Sequence, residues 1–336
     1  MKGDQEAVLP KGIILATRKL AAQWLGCIPE EIALVGPTSV ALSMVALGLD
    51  WQKGDNVVFY GDDYPSNAVS WMALGRRKGV ELRRVMPKHL GAITVDDVAP
   101  LLDGRTRLVS LASAHFISGH LLDVNAIGEM VRSRGALFCV DGIQTVGAMR
   151  TPVKHVDFLA ADSHKWMLGP CAAGILFVRN ETQEKLRPEL LGSNNVVCPG
   201  YITPEHLGFP HHAGRYEAGS PNFLGLVALH AALTMLLECG VGAVEAAVRE
   251  HTCFLREGLR KRGFTLAGLS DEAVSGITTF RREGMDVEAL HRKLTKDGII
   301  ASLRYTRDDR RWIRLSPHFY NTRAELERAM EVIGSG

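Results

Sequence analysis

An aspartate and a lysine, each placed after a short apolar run, are the residues of this chain best suited to covalent chemistry. Leu137-Phe138-Cys139-Val140 leads into Asp141-Gly142-Ile143-Gln144, and Val156-Asp157-Phe158-Leu159-Ala160-Ala161 leads towards Ser163-His164-Lys165-Trp166. A β-type run that ends on a functional residue puts it at the carboxyl edge of a sheet, where open α/β sheets bind ligands. The run Trp166-Met167-Leu168-Gly169-Pro170 is too apolar for a solvated loop. It implies a partly desolvated Lys165 with a lowered pKa, which suits Schiff-base formation. A carboxylate at a neighbouring strand end keeps a pyridine nitrogen protonated. Pyridoxal phosphate needs both groups.

A third piece stands near the amino end. Val35-Gly36-Pro37-Thr38-Ser39 joins the first strand to the first helix that follows it. Thr38 or Ser39 is expected as the helix N-cap, with free first-turn amides facing the sheet's carboxyl edge, an arrangement that binds anions. Ordinary capping also accounts for Thr or Ser here. Beside Lys165 and Asp141, the phosphate role is the stronger reading. Gln144, about one turn past Asp141, is placed to donate to the ring's phenolic oxygen.

The elements that must position these residues alternate along the chain. Strands are expected at 32–35, 56–60, 82–86, 108–112, 137–140, 158–161 and 174–178. Helices are expected at 39–49, 68–78, 95–102 and 124–134. This order argues for a mostly parallel sheet with helices on both faces. Residues 192–216 break into loops, and helical patterns follow at 223–239 and 241–262. Strands at 277–280 and 312–315 and helices at 287–297 and 322–333 complete a smaller α+β unit, with Thr322 and Glu325 as a capping box. The expected domains are 12–222, binding the cofactor, and 223–336.

Composition excludes several classes of function. The chain has 336 residues, 39 basic and 37 acidic, for a net charge of +2. Nothing in that balance favours nucleic acid or a membrane surface. Arg304, Arg307, Arg310 and Arg311 form the densest basic cluster, but Asp308 and Asp309 sit inside it, so it reads as a solvated loop. The six cysteines fit no zinc pattern and no metal site is expected. No signal-peptide layout or apolar run of membrane-spanning length occurs, and a cytoplasmic location is the default expectation. No G-x-G-x-x-G follows the first strand, which argues against a dinucleotide-binding enzyme.

Taken in order, Asp141-x-x-Gln144, Ser163-His164-Lys165 with Gly169-Pro170 behind it, Arg215-Tyr216-Glu217-Ala218-Gly219-Ser220, and Arg314-x-Ser316-x-x-x-Tyr320-Asn321-Thr322 resemble the class V aminotransferases. That family of fold-type I pyridoxal phosphate enzymes includes cysteine desulfurases, selenocysteine lyases, kynureninases and isopenicillin N epimerase. The resemblance covers nearly the whole chain. It implies a seven-stranded-type, mostly parallel sheet flanked by helices, with a smaller carboxyl-terminal α+β domain. Lys165 would then carry the cofactor as a Schiff base and shuttle the Cα proton, and Asp141 would pair with the ring nitrogen. Gln144 would contact the phenolic oxygen, and Thr38, Ser39 and His164 would hold the phosphate. Tyr64 would stack on the ring, and His115 would reach the cofactor's edge. Ser220 would contact the phosphate of the other subunit of a homodimer. Arg314 would bind the substrate's carboxylate through both guanidinium nitrogens.

The same resemblance implies an enzyme acting at Cα of an amino acid. Transamination is the first expectation, with C–S or C–Se lysis next and epimerisation third; a non-catalytic cofactor-binding homologue is the reading from another class. In desulfurases a nucleophilic cysteine precedes the Arg314 strand. Here residues 302–309 contain none, which argues against a persulfide mechanism. Asp162 stands where many desulfurases have serine, and the sequence assigns it no role. The family also carries a leading arm of some tens of residues, often helping to close the active site, before the segment matching Lys11 to Leu25; the short start here suggests a trimmed chain, for which full activity is not expected.

Overall fold

The computed structural model describes residues 10–268 and 271–334. Its large sheet has seven strands: β1 (Ile32–Val35), β2 (Asn56–Tyr60), β3 (Glu81–Val85), β4 (Thr106–Ala112), β5 (Leu137–Asp141), β6 (Phe158–Asp162) and β7 (Gly174–Val178). Their order is β1-β7-β6-β5-β4-β2-β3. β7 runs antiparallel to both neighbours and the other pairings are parallel. Parallel strands need crossover helices, which cover both faces of the sheet.

The central strands are therefore buried on both sides and read as continuous apolar runs. Phe138 and Val140 point to the core shared with α1 (Ile13–Leu25), α5 (Val124–Ser133) and α6 (Phe223–Cys239). Leu137 and Cys139 point to the core shared with α2 (Thr38–Gly48) and α3 (Pro65–Lys78). The two-residue period of a strand makes this division.

The smaller sheet is antiparallel, in the order β10-β11-β9-β8, from β8 (Thr265–Leu266), β9 (Thr278–Arg281), β10 (Ser302–Tyr305) and β11 (Arg311–Leu315). Its outer face packs Phe280, Ile313 and Leu315 against α7 (Val241–Lys261), α8 (Val287–Lys296) and α9 (Arg323–Gly334). The short α4 (Val95–Val98) precedes β4. Glu325 accepts from the amide of Thr322 at 2.6 Å, and the Thr322 hydroxyl accepts from the Glu325 amide at 3.3 Å, so the expected capping box forms.

Three expectations are revised. The core does not divide at 222/223: Leu229, Leu233 and Leu236 of α6 belong to the large-sheet core, and the small core takes Leu255 and Leu259 of α7. An apolar helix follows the sheet it can cover, whatever the sequence position of the loops. The N-cap of α2 is Pro37, with Thr38 one position inside the helix. Residues 302–305, expected as loop, form β10 because they pair with β11 in full register. The last two residues of the expected small domain, 335 and 336, lie outside the described residues.

One glycine fixes how the lysine loop seats on the sheet. Gly147 has φ +99, and a Cβ there would lie 2.3 Å from the carbonyl oxygen of Trp166. We expect Gly147→Ala to destabilise the fold by roughly 1–3 kcal/mol through backbone strain and overlap. Thermal unfolding of the variant should show a lower midpoint than the parent.

Candidate active site

The site forms where β5 and β6 end side by side. Asp141 is the last residue of β5, and Asp162, the last of β6, opens the loop that carries Lys165. The parallel register pairs Asp141 with Ala160.

Asp162 acts as the fastener of that loop. Its Oδ1 accepts from the amides of Ser163 (3.0 Å) and Ala173 (3.1 Å), and its Oδ2 from the amide of Ala172 (3.1 Å) and His164 Nδ1 (2.6 Å). A carboxylate with four donors is satisfied inside the protein, so its charge is not presented to the anion region. Between these anchors the chain makes two left-handed turns without glycine, at Leu168 (φ 57) and Ala172 (φ 61). Such residues cost of order 1–3 kcal/mol each and persist where their surroundings hold them. Ser163 Oγ, donating to Pro170 O at 2.8 Å, adds a further tie.

Lys165 is half-buried on this loop. Burial lowers its pKa first; Arg314 and Arg304 lower it further, while Asp141 opposes them. Its Nζ lies 5.3 Å from the centroid of the Tyr64 ring, within cation–π range. Asp141 is buried, and burial pushes its carboxyl up to about 6, against the hydrogen bond from Ile143 and the charge of Lys165. That bond, Ile143 N to Oδ1 at 3.1 Å, is its only hydrogen bond among the described residues. A buried carboxylate so thinly supported favours a cationic partner.

Gln144 is buried, and its Oε1 accepts from Trp166 Nε1 at 3.4 Å. This orients the amide so that Nε2, a buried donor, has no protein acceptor. The residues thus fit pyridoxal phosphate: an unpaired donor for an oxygen, a carboxylate for a ring nitrogen and an amine for the carbonyl carbon.

At the phosphate end, Thr38 Oγ1 accepts from the Asp162 amide at 2.9 Å and retains its own hydrogen to donate. Ser39 is half-buried in the first turn of α2. His164 turns Nδ1 to Asp162 and leaves Nε2 without a protein partner among the described residues. Ser220 is exposed on a loop, beside a cavity of about 230 Å³ that Gly36, Gly174 and Glu217 also line. The motif ahead of it is structural. Glu217 pairs with Arg18 of α1 at 2.7 Å and accepts from the Leu34 amide at 2.6 Å, and the Tyr216 hydroxyl donates to Leu186 O at 3.0 Å.

Arg314, in β11, donates from NH1 to Phe116 O at 2.7 Å, while its Nε is buried without a partner. Burial, then Arg304, lower its pKa to about 10. It shares a cavity of about 160 Å³ with Gln144, Lys165, Trp166, His318 and Tyr320.

His115 is placed differently from expectation. It is buried, with Nε2 bonded to Asp62 O at 3.0 Å and Nδ1 to Ser118 at 3.1 Å. Burial lowers its pKa to about 4. Both nitrogens are engaged in the protein, so the ring serves as a brace, and its neighbour Phe116 packs edge-on to Tyr64 at 5.4 Å. Sequence reasoning also missed His318, which bonds Trp166 O at 2.8 Å, and Asp63. Asp63 accepts from the Tyr64 amide (2.7 Å) and Asn67 Nδ2 (2.9 Å); burial, then the nearby Asp141, push its carboxyl up to about 7. The Asp62-Asp63-Tyr64 run was the available signal.

Among the described residues, no group of His, Cys, Asp or Glu is arranged to hold a metal ion, and no single helix is long and apolar enough to cross a membrane.

Comparison with known proteins agrees with this geometry. The class V aminotransferase model matches residues 10–329. A probable cysteine desulfurase of Methanothermobacter thermautotrophicus is 28% identical, over 96% of this chain and 86% of its own. The uncharacterized aminotransferase YcbU of Bacillus subtilis is also 28% identical, over 94% of this chain and 81% of its own. The apo structure of a cysteine desulfurase from Thermococcus onnurineus NA1 has a TM-score of 0.88 at 25% identity, covering 96% of this chain and 83% of that one. A cystine C–S lyase in complex with cysteine persulfide has a TM-score of 0.90 at 21% identity, over 99% of this chain and 88% of its own, a likeness of fold. Fold and sequence therefore agree, and the chain belongs to the class V aminotransferase family of pyridoxal-phosphate-dependent enzymes.

Proposed function

We propose that this chain is a lyase that breaks a carbon–sulfur or carbon–selenium bond of an amino acid, rather than the aminotransferase first expected. The cavity that sets Lys165 opposite Arg314 carries the reading, because it offers an amine and a carboxylate-binding group to one small molecule. Relatives whose names specify cysteine desulfurase weigh the reaction towards lysis.

When bound, pyridoxal phosphate supplies an electron sink for negative charge at Cα. Thr38, Ser39 and His164 would hold its phosphate, Asp141 its ring nitrogen, Gln144 its phenolic oxygen, and Tyr64 its ring face. Lys165, with its pKa lowered by burial, is suited to take the Cα proton at Nζ and to pass it to the departing sulfur or selenium. Arg314 would fix the α-carboxylate, a task that suits a planar guanidinium. Trp166 and Leu168 line the same cavity and give the lysine an apolar wall. A homodimer in which Ser220 reaches the partner's phosphate is part of this proposal, supported by the exposed position of Ser220 beside a cavity.

The sulfur would leave directly. The hairpin from β10 to β11 holds no cysteine, Cys139 is buried with its thiol pKa raised by burial, and the exposed Cys171 and half-buried Cys198 lie outside that hairpin. With L-cysteine we expect sulfide, pyruvate and ammonia. Mercaptopyruvate with no sulfide would restore transamination, and a persulfide on Cys171 or Cys198 with steady alanine release would restore the desulfurase route. Borohydride reduction of the loaded enzyme should leave the pyridoxyl group on Lys165, read by peptide mass spectrometry; an adduct on another lysine would refute the site.

Asp141→Asn should fold and lose roughly 10²-fold or more in kcat, since an amide cannot hold a positive ring nitrogen. The cofactor-free protein gives a second readout. A carboxyl raised from about 3.9 to about 6 contributes stability below the lower value and loses it as pH rises through the upper one. The unfolding free energy of Asp141→Asn minus that of the parent should thus grow between about pH 4 and 6, then level off. A flat difference would show that burial does not strain Asp141.

A further inference from the structure

The hairpin of β10 and β11 carries five arginines, and their pairing divides them. Arg307 pairs with Asp62 at 2.6 Å, Arg310 with Asp308, and Arg311 with Glu288 at 3.3 Å. Among the described residues Arg304 and Arg314 have no carboxylate partner, and the Nε of each is buried without any partner.

These two are also the pair that faces the large sheet. Register pairs Arg304 with Trp312 and Ser302 with Arg314, so the arginines share one face as diagonal neighbours. Such neighbours have Cβ atoms roughly 7 Å apart. Thr279, opposite Arg314 on β9, marks where the face points: its hydroxyl donates to Ile117 O at 2.5 Å, one residue beyond the carbonyl that Arg314 holds. Lys165 and Arg314 line one cavity, and the charge of Arg304, on the same face of the hairpin as Arg314, acts on both. Among the described residues, the carboxylates whose charge bears on Lys165 are Asp141 and Asp162, and Asp162 is already saturated. Half-buried cations without counter-charge are costly, and a ligand anion relieves the cost.

We propose that Arg304 is a specificity-determining residue, and that the preferred substrate is an amino acid whose side chain ends in a carboxylate. Arg314 takes the α-carboxylate and Arg304 the distal one. A neutral side chain leaves Arg304 unpaired, so preference follows from the penalty of an unmatched buried charge. This rests on the reading of Lys165 and Arg314 given under the proposed function.

The test compares S-carboxymethyl-L-cysteine with S-methyl-L-cysteine, which differ by one carboxylate. The loaded enzyme should favour the first by roughly 10- to 100-fold in kcat/KM, the span of one charged hydrogen-bonded contact. Arg304→Met should bring that ratio close to one, Arg304→Lys should restore part of it, and Arg314→Met should depress both substrates. Equal use of both by the parent, or an Arg304→Met loss that leaves the ratio unchanged, would overturn the proposal. A second arm needs no cofactor: succinate should raise the melting temperature of the stripped protein more than propionate does, and Arg304→Met should cancel the difference. If no amino acid alters the absorbance of the loaded enzyme, the reading of Lys165 and Arg314 falls. The succinate arm then decides the second anion site by itself, and equal shifts for the two acids reject it.

Discussion

Two carboxylates end neighbouring strands, and the site depends on how differently they are satisfied. Asp162 accepts four hydrogen bonds and locks the lysine loop from below. Asp141 accepts one and is pushed towards the neutral form by burial. The position of His164 and the return of the loop at Ala172 and Ala173 follow from the first carboxylate being full. The suitability of the cleft for a cationic ring follows from the second being short of partners. Low dielectric makes the contrast matter, because it magnifies both satisfied and unsatisfied charge.

The lysine loop and the small sheet meet through the segment after β4. Phe116 O accepts from Arg314, Ile117 O from Thr279, and Gly119 O from both Ser275 N and Ser275 Oγ at 2.9 Å. The residues on this segment are not reagents. They hold the small sheet at the height where Arg314 faces Lys165, which explains why His115 has both nitrogens committed to bracing.

Much of this was legible in the sequence for a physical reason. Asp141, Gln144, Lys165 and Arg314 sit next to apolar runs, and strand patterning with its period of two is a strong local signal. What was not legible depended on pairing across long separations. Asp162 gave no hint of its role because its donors Ala172 and Ala173 lie on the far side of a loop. Arg304 reads as one of a solvated basic cluster, and only the β10–β11 register shows that it turns inward while Arg307 and Arg310 stay in water. The affiliation of α6 with the large core was hidden because a uniformly apolar helix has little periodicity to show which partner it covers.

The two ends of the small hairpin are held by forces with different sensitivities to the medium. Its base is fixed by hydrogen bonds from Arg314 and Thr279 at least partly shielded from water. Its tip is fixed by Arg307 on Asp62, whose side chains are 71% and 35% exposed. An ion pair that water reaches is worth under about 1 kcal/mol, and dissolved ions screen it over a Debye length of about 8 Å at physiological ionic strength. Salt therefore loosens the tip and leaves the base untouched. The turn that carries Tyr64 is bonded to that tip, so its tie to the small sheet weakens as ionic strength rises, while the bond of Arg314 to Phe116 does not.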